Sequence, residues 1–217
     1  MTRAKTGKVR AAKPKAAYHH GDLRRALIDA SLALLEREGL EALSTRVVAR
    51  RLGVSHAAPA RHFPSRAALL EALATTGFER FIETLTRESE GHHGRAVFQA
   101  QGRAYVRFAL AHPNLLRLMF SPALKAHPTP GSPLAEAGRR AHDLLLSGAR
   151  AALGSKASAA EVESAAFTGW ALVHGAALLW LDGPLSVPGK DAMTEAQFLA
   201  LSEQAIAHTT SQLDGGG

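Results

Sequence analysis

The side chains that could do chemistry in this chain are 11 histidines, 19 acids and 26 lysines and arginines. Their spacing decides what kind. Cysteine is absent, which excludes disulfides, thiolate metal sites and cysteine nucleophiles. His19-His20 and His92-His93 are adjacent pairs. Neighbouring residues diverge on a helix, and no His-Glu-x-x-His or Cys/His set exists, so no metal site and no cofactor is expected. Asp143 and Asp182 stand alone, and no glycine-rich phosphate loop or Gly-x-Ser-x-Gly turn occurs. Catalysis is not expected, although an active site assembled from distant residues would leave no such trace.

The cations are different, because they are unevenly placed. Residues 1–20 hold six Lys/Arg and no acid, for +6; residues 21–66 hold eight Arg and five acids, for +3; residues 67–217 come to −2. A basic front and a mildly acidic back point to a polyanionic partner for the front alone. For residues 1–20 taken by themselves, a solubilising tail would look the same.

Helices must position these groups. Ala and Leu dominate, Val and Ile are few, and no segment alternates, so the chain reads as all-α. A first helix is expected over 22–38, stopped by Gly39, and a second over Thr45–Leu52, capped by Ser44 and stopped by Gly53. A third, short helix should start from Ser55 as N-cap and reach His62, with Pro59 as its fourth residue, where only the first intrahelical bond is lost. Pro64-Ser65 opens a long helix with Leu69, Leu73, Phe78, Phe81 and Leu85 inward. Further helices are expected at 95–111, 114–120, 134–153, 159–182 and 194–212, with loops at 121–133 and 183–190. No run of 18 apolar residues and no leader pattern is present, so neither a membrane partner nor export is expected, and the absence of Cys fits the cytoplasm.

Ser44 to Phe63 has helix-turn-helix spacing. Val48, Ala49, Leu52, Val54 and Phe63 would bury the corner and let its second helix protrude into a major groove about 12 Å wide. An ordinary helical hairpin would satisfy the same spacing. Farther on, the 159–182 helix shows two stripes. Phe167, Trp170, His174, Leu178 and Leu181 could line a cavity with Phe108, Met119 and Phe120. Ala165, Gly169, Leu172, Ala176 and Leu179 are small enough for a dimer seam with Phe198, Leu201 and Ala205 of the last helix. Plain core packing would account for either stripe.

Residues 18–73, YHHGDLRRALIDASLALLEREGLEALSTRVVARRLGVSHAAPARHFPSRAALLEAL, resemble the N-terminal domain of the TetR family of transcriptional regulators. The marks are Gly39, Val48-Ala49, Gly53–Ser55, Arg61–Phe63 and the basic Arg66. FTGWALVHGAALLWL is similar to a C-terminal domain of some members, named for its Trp-His-Gly elements, here Trp170, His174 and Gly175. The resemblance implies phosphate contacts from Ser44 and Thr45 and a base contact from Arg46. It further implies Ser55, His56, Ala57 and Ala58 at the start of the recognition helix, with His62 and Arg66 near the backbone and Arg61 helping by its charge. It departs from the family at Ala60, where most members carry a phosphate-binding tyrosine, and at Pro59 before it.

The expected protein is thus a homodimeric regulator with a basic arm (1–17), a DNA-reading domain (18–66) and a ligand-binding, dimerising helical domain (67–214). Its partners would be a palindromic double-stranded operator and a small-molecule effector that releases it. The alternatives are a helical adaptor that has lost tight operator binding and, behind it, a small-molecule enzyme.

Overall fold

A computed structural model of the chain describes residues 20–125, 129–183 and 192–212. The basic arm lies outside the described residues, as do most of the 183–190 loop and the C-terminal glycines. The described residues form nine α-helices and no strand. They are α1 (His20–Glu38), α2 (Thr45–Leu52), α3 (Arg66–Ser89), α4 (Arg95–Ala111), α5 (Pro113–Met119), α6 (Pro122–Lys125), α7 (Pro133–Leu153), α8 (Ala159–Leu181) and α9 (Glu195–Ser211).

Local chemistry sets most of the boundaries. Ser44 accepts the Val47 N–H at 3.2 Å, and Ser65 accepts that of Ala68 at 3.1 Å. Ser158 with Glu161, and Thr194 with Gln197, form reciprocal capping boxes on α8 and α9. Each cap satisfies N–H groups with no partner inside the helix and is worth about 1 kcal/mol. Gly53 ends α2 at φ +65°, a left-handed conformation that favours glycine.

Two sequence expectations give way. Between α2 and α3 there is no α-helix: turn residues lead into a single 3-10 turn, Pro59–Arg61. Ser55 contributes its carbonyl, which accepts the Ala58 N–H at 3.0 Å. Pro59 has no N–H to bond Ser55 in α-helical fashion; the turn winds through Arg61 to Ala58 and His62 to Pro59, and the Phe63 N–H closes it on the Pro59 carbonyl at 2.8 Å. The 121–133 segment also holds one helical turn, α6.

α3 carries the chain from the front into a bundle with α4, α7, α8 and α9. Phe81 of α3 packs edge-on against Tyr105 and Phe108 of α4, with ring centroids 5.2 Å apart in both pairs. Among the described residues α8 is long and apolar enough to cross a membrane by length and composition, although it contains no unbroken run of 18 apolar residues. Scattered Ser, Thr and Gly break its apolar run without lowering the average far. In this fold it packs on α4, α7 and α9.

Candidate nucleic-acid interface and internal cavity

α2 is amphipathic: Val48 and Ala49 are buried, while Arg46 and Arg50, one turn apart, are exposed. After the Gly53 corner, Ser55, His56 and Ala57 are exposed and Ala58 is half-buried. Pro59 and Phe63 are buried and anchor the 3-10 turn, leaving Ala60 and Arg61 outward and His62 half-buried. Ser44 and Thr45 are half-buried at the start of α2. Arg46, Arg50 and Arg61 have no salt bridge among the described residues. Arg50 escaped the sequence reading, although its spacing from Arg46 was the available signal.

Other cations here are occupied. Arg66 donates from Nη2 to the Leu40 carbonyl at 2.9 Å and from Nε to that of Leu43 at 3.3 Å. It ties the α1–α2 turn to the start of α3. Arg51 bonds Glu38 at 2.5 Å, and this contact holds the Glu38 carboxyl below its ordinary pKa. Arg24 lies over the Phe63 ring, 5.4 Å from its centroid.

Between α3, α4, α7, α8 and α9 is a cavity of about 210 Å³ that is partly open to solvent, with the exposed His142 and Trp170 among its lining. Phe81, Phe98, Trp170, Val173 and Ile206 form much of its wall, with Gln101, Tyr105 and Phe120 among the other lining residues. Of the sequence candidates, Phe120 and Trp170 line it. Phe108, Met119, His174 and Leu178 do not. Phe108 is 3% exposed and is turned to Phe81 and His112, and Met119 sits against Gly77. His174 stands one layer back, with Nδ1 2.6 Å from the Tyr105 hydroxyl and its ring against Phe120 and Trp170. Burial pushes the Tyr105 pKa up, and a contact with Trp170 pulls it partly back. Sequence reasoning missed Gln101 and Tyr105, which carry the polar groups of the α4 wall.

The two α8 stripes do not divide as expected: Trp170 and His174 of the first face inward, but so does much of the second. Ala165 is 4% exposed, and a Cβ on Gly169 would meet the Phe98 ring at 2.5 Å, so that stripe faces inward. Leu172 lines the cavity, while Ala176 and Ala205 are half-buried. Phe198 is buried in a stack on Trp180, centroids 4.8 Å apart. Of the eight residues expected at a dimer seam, Leu179 and Leu201 are the exposed ones. Phe167, assigned to the cavity stripe, is 66% exposed.

A short joint connects the cavity to the front. The Glu36 carboxylate of α1 accepts the N–H groups of Asn114 and Leu115, at 3.3 and 3.1 Å, capping α5. The Asn114 side-chain amide donates back to the Glu36 carbonyl at 3.1 Å. At the other end of α5, Phe120 enters the cavity wall.

Comparison with known proteins supplies context. Residues 27–73 match the family described as bacterial regulatory proteins, tetR family. Residues 98–201 match the tetracyclin repressor-like C-terminal domain. No curated protein sequence matches the chain. Among solved structures, a protein of unknown function from Rhodococcus sp. RHA1 is 37% identical, with 91% of this chain and 96% of that chain covered and a TM-score of 0.70. A TetR variant from Acinetobacter baumannii AYE in complex with minocycline is 21% identical, covering 87% and 94%, TM-score 0.59. FadR from Bacillus subtilis in complex with stearoyl-CoA is 12% identical, covering 86% and 97%, TM-score 0.65.

Proposed function

The chain belongs to the TetR family of transcriptional regulators, and from that premise we propose that it is a homodimeric repressor released from a palindromic operator by a small molecule bound in the internal cavity. The observation that carries this reading is the joint at Glu36. One end of α5 is capped by the DNA-reading unit and the other adjoins the wall of the cavity. A ligand that moves Phe120 would act on α1 through seven residues of helix.

On the DNA, Arg46 reads a base edge, Arg50 and Arg61 neutralise phosphates, and Ser44, Thr45, Ser55, His56, Ala57, Ala58 and His62 complete the docking surface. Arg66 supports this surface from behind. The DNA-reading unit ends near residue 66, and the remaining helices bind ligand and dimerise. The proposed seam is the exposed apolar face of α8 and α9, with Phe167, Leu179 and Leu201 around the flat spot at Gly175. Operator half-sites lie about 34–36 Å apart, so a small change in the separation of the two readers prevents both from docking. The place of action is the cytoplasm.

Selection of bound fragments from random DNA tests the reading. A palindromic consensus bound by a dimer is expected. An adaptor without DNA function would give no enrichment and no salt-dependent affinity.

A further inference from the structure

Asp182, isolated in the sequence, has a partner from another part of the chain. Arg117 of α5 donates from Nη2 to the Asp182 carboxylate at 2.7 Å and to the Leu181 carbonyl at 2.9 Å. Leu181 is the last residue of α8. Its carbonyl is among those that an α-helix leaves without an internal partner. The last turn of α8 has no basic residue of its own, so a cation from α5 takes the place that favours one.

α5 has little freedom to roll. A Cβ at Gly77 of α3 would meet the Met119 sulfur at 2.8 Å and a Leu115 methyl carbon at 3.0 Å, so α5 lies in close contact with α3. Its first turn is held by Glu36 of α1. α8 meets α5 at two points. One is the Phe120 ring, which adjoins Trp170 and His174. The other is Arg117, at the end of α8, seven residues past His174 and so about 10 Å farther along the helix axis. A single contact leaves a helix free to swing about it. Two contacts this far apart fix the angle of α8 to α5. Leu179, on the proposed seam, stands in the turn that Arg117 holds.

We propose that Arg117 is a positioning residue for operator spacing: it holds the last turn of α8, and the seam on it, at a set angle to α5 and hence to α1 of the reader. The proposal rests on the reading of the chain as an operator-binding dimer joined through α8 and α9. Half-sites lie about 34–36 Å apart, so a small swing of α8 at the seam reaches the two readers as a change in their separation. Arg117 and Asp182 are both exposed, and an ion pair of that kind adds little to stability. Spacing, and not melting, is therefore what reveals the role.

Anisotropy titrations at fixed salt test it, with the selected operator, with the same operator lengthened or shortened by one base pair between its half-sites, and with a single half-site. The wild type should prefer the selected spacing. Arg117→Met keeps the length of the side chain and removes its donors; Asp182→Ala removes the carboxylate. In both variants the spacing preference should shrink about fivefold, the worth of one weak ion pair per subunit. Half-site affinity should stay within about twofold. Asp182→Ala, a change at an exposed residue, decides the matter if Arg117→Met fails to fold. If the variants weaken every DNA alike and leave the spacing ratio unchanged, Arg117 is only structural; the proposal is then overturned with the regulator reading intact. A variant that sediments as a monomer overturns it too, because the contact would then belong to the seam itself. If the wild type binds every spacing and the half-site equally, the dimer reading fails and the spacing role fails with it.

Discussion

Tyr105 of α4 and His174 of α8 share a hydrogen bond of 2.6 Å directly behind the cavity wall. The pair pins α8 to α4 where Trp170 and Phe120 meet. Tyr105→Phe and His174→Ala should each cost about 1–3 kcal/mol in urea unfolding, because each takes a buried partner away. The double variant should lose clearly less than the sum. Simple additivity would show that the two groups are neighbours without being coupled.

Glu36 should matter more for communication than for folding. Glu36→Gln weakens two charge-assisted bonds to the first turn of α5. Operator affinity without ligand should change little, while the effector's influence on it, ordinarily about 1–3 kcal/mol, should shrink by half or more. Operator titrations with and without effector measure this. An undiminished response would mean that the signal bypasses α5.

Arg46 and Arg66 should behave differently when truncated. Arg46→Ala is expected to cost about 1–3 kcal/mol on the selected operator and to relax preference at one base pair per half-site. Arg66→Ala unties the Leu40 and Leu43 carbonyls, so it should lower the melting temperature and weaken all DNA sequences alike. Equal, uniform losses with unchanged stability in both variants would contradict this division.

Ala60 is exposed on the turn anchored by Pro59. Ala60→Tyr should supply one hydrogen bond to a phosphate per subunit. After the entropy of ordering the ring, about 1 kcal/mol per subunit remains, or roughly tenfold to thirtyfold in dimer affinity. Specific and random DNA should gain alike. A folded, dimeric variant with no gain would mean that the turn does not approach the backbone.

Leu179→Glu places a charge on the proposed seam while touching little of the protomer core, since Leu179 is 48% exposed. Sedimentation should show a monomer with wild-type helicity and much weaker operator binding. A persistent dimer would move the interface elsewhere.

Signals confined to a few residues were legible in the sequence. The Ser44, Ser65, Gly39 and Gly53 boundaries follow from capping chemistry, and α2 and α4 fell on the expected residues. The stripes of α8 were legible in spacing and not in direction. The helix is apolar on most sides and meets α4, α7 and α9, so periodicity could not tell which stripe faced them. Glu36 and Asn114 are too far apart in the chain for any local pattern to join them. Gln101 reads as an ordinary helix residue until Gly148 is seen beside it, where a Cβ would stand 2.0 Å from its Oε1. Pro59 was judged by the one bond it forfeits; the structure has a single 3-10 turn where a short α-helix was expected.

On the docking proposed above, that turn limits how much of an operator the chain would read. Three residues of 3-10 helix rise about 6 Å, and base pairs along DNA are spaced about 3.4 Å apart. In the proposed docking the turn itself spans about two base pairs per half-site, and the exposed Ser55, His56 and Ala57 before it, with Arg46 of α2, add a short further reach. So short a word recurs too often in a genome to mark one promoter. The remaining information must lie in the distance between the two words and in how readily the intervening DNA bends or narrows. A genome scan for contacted bases alone would return far more candidate promoters than the protein occupies, and adding spacer length and composition should bring the two counts together.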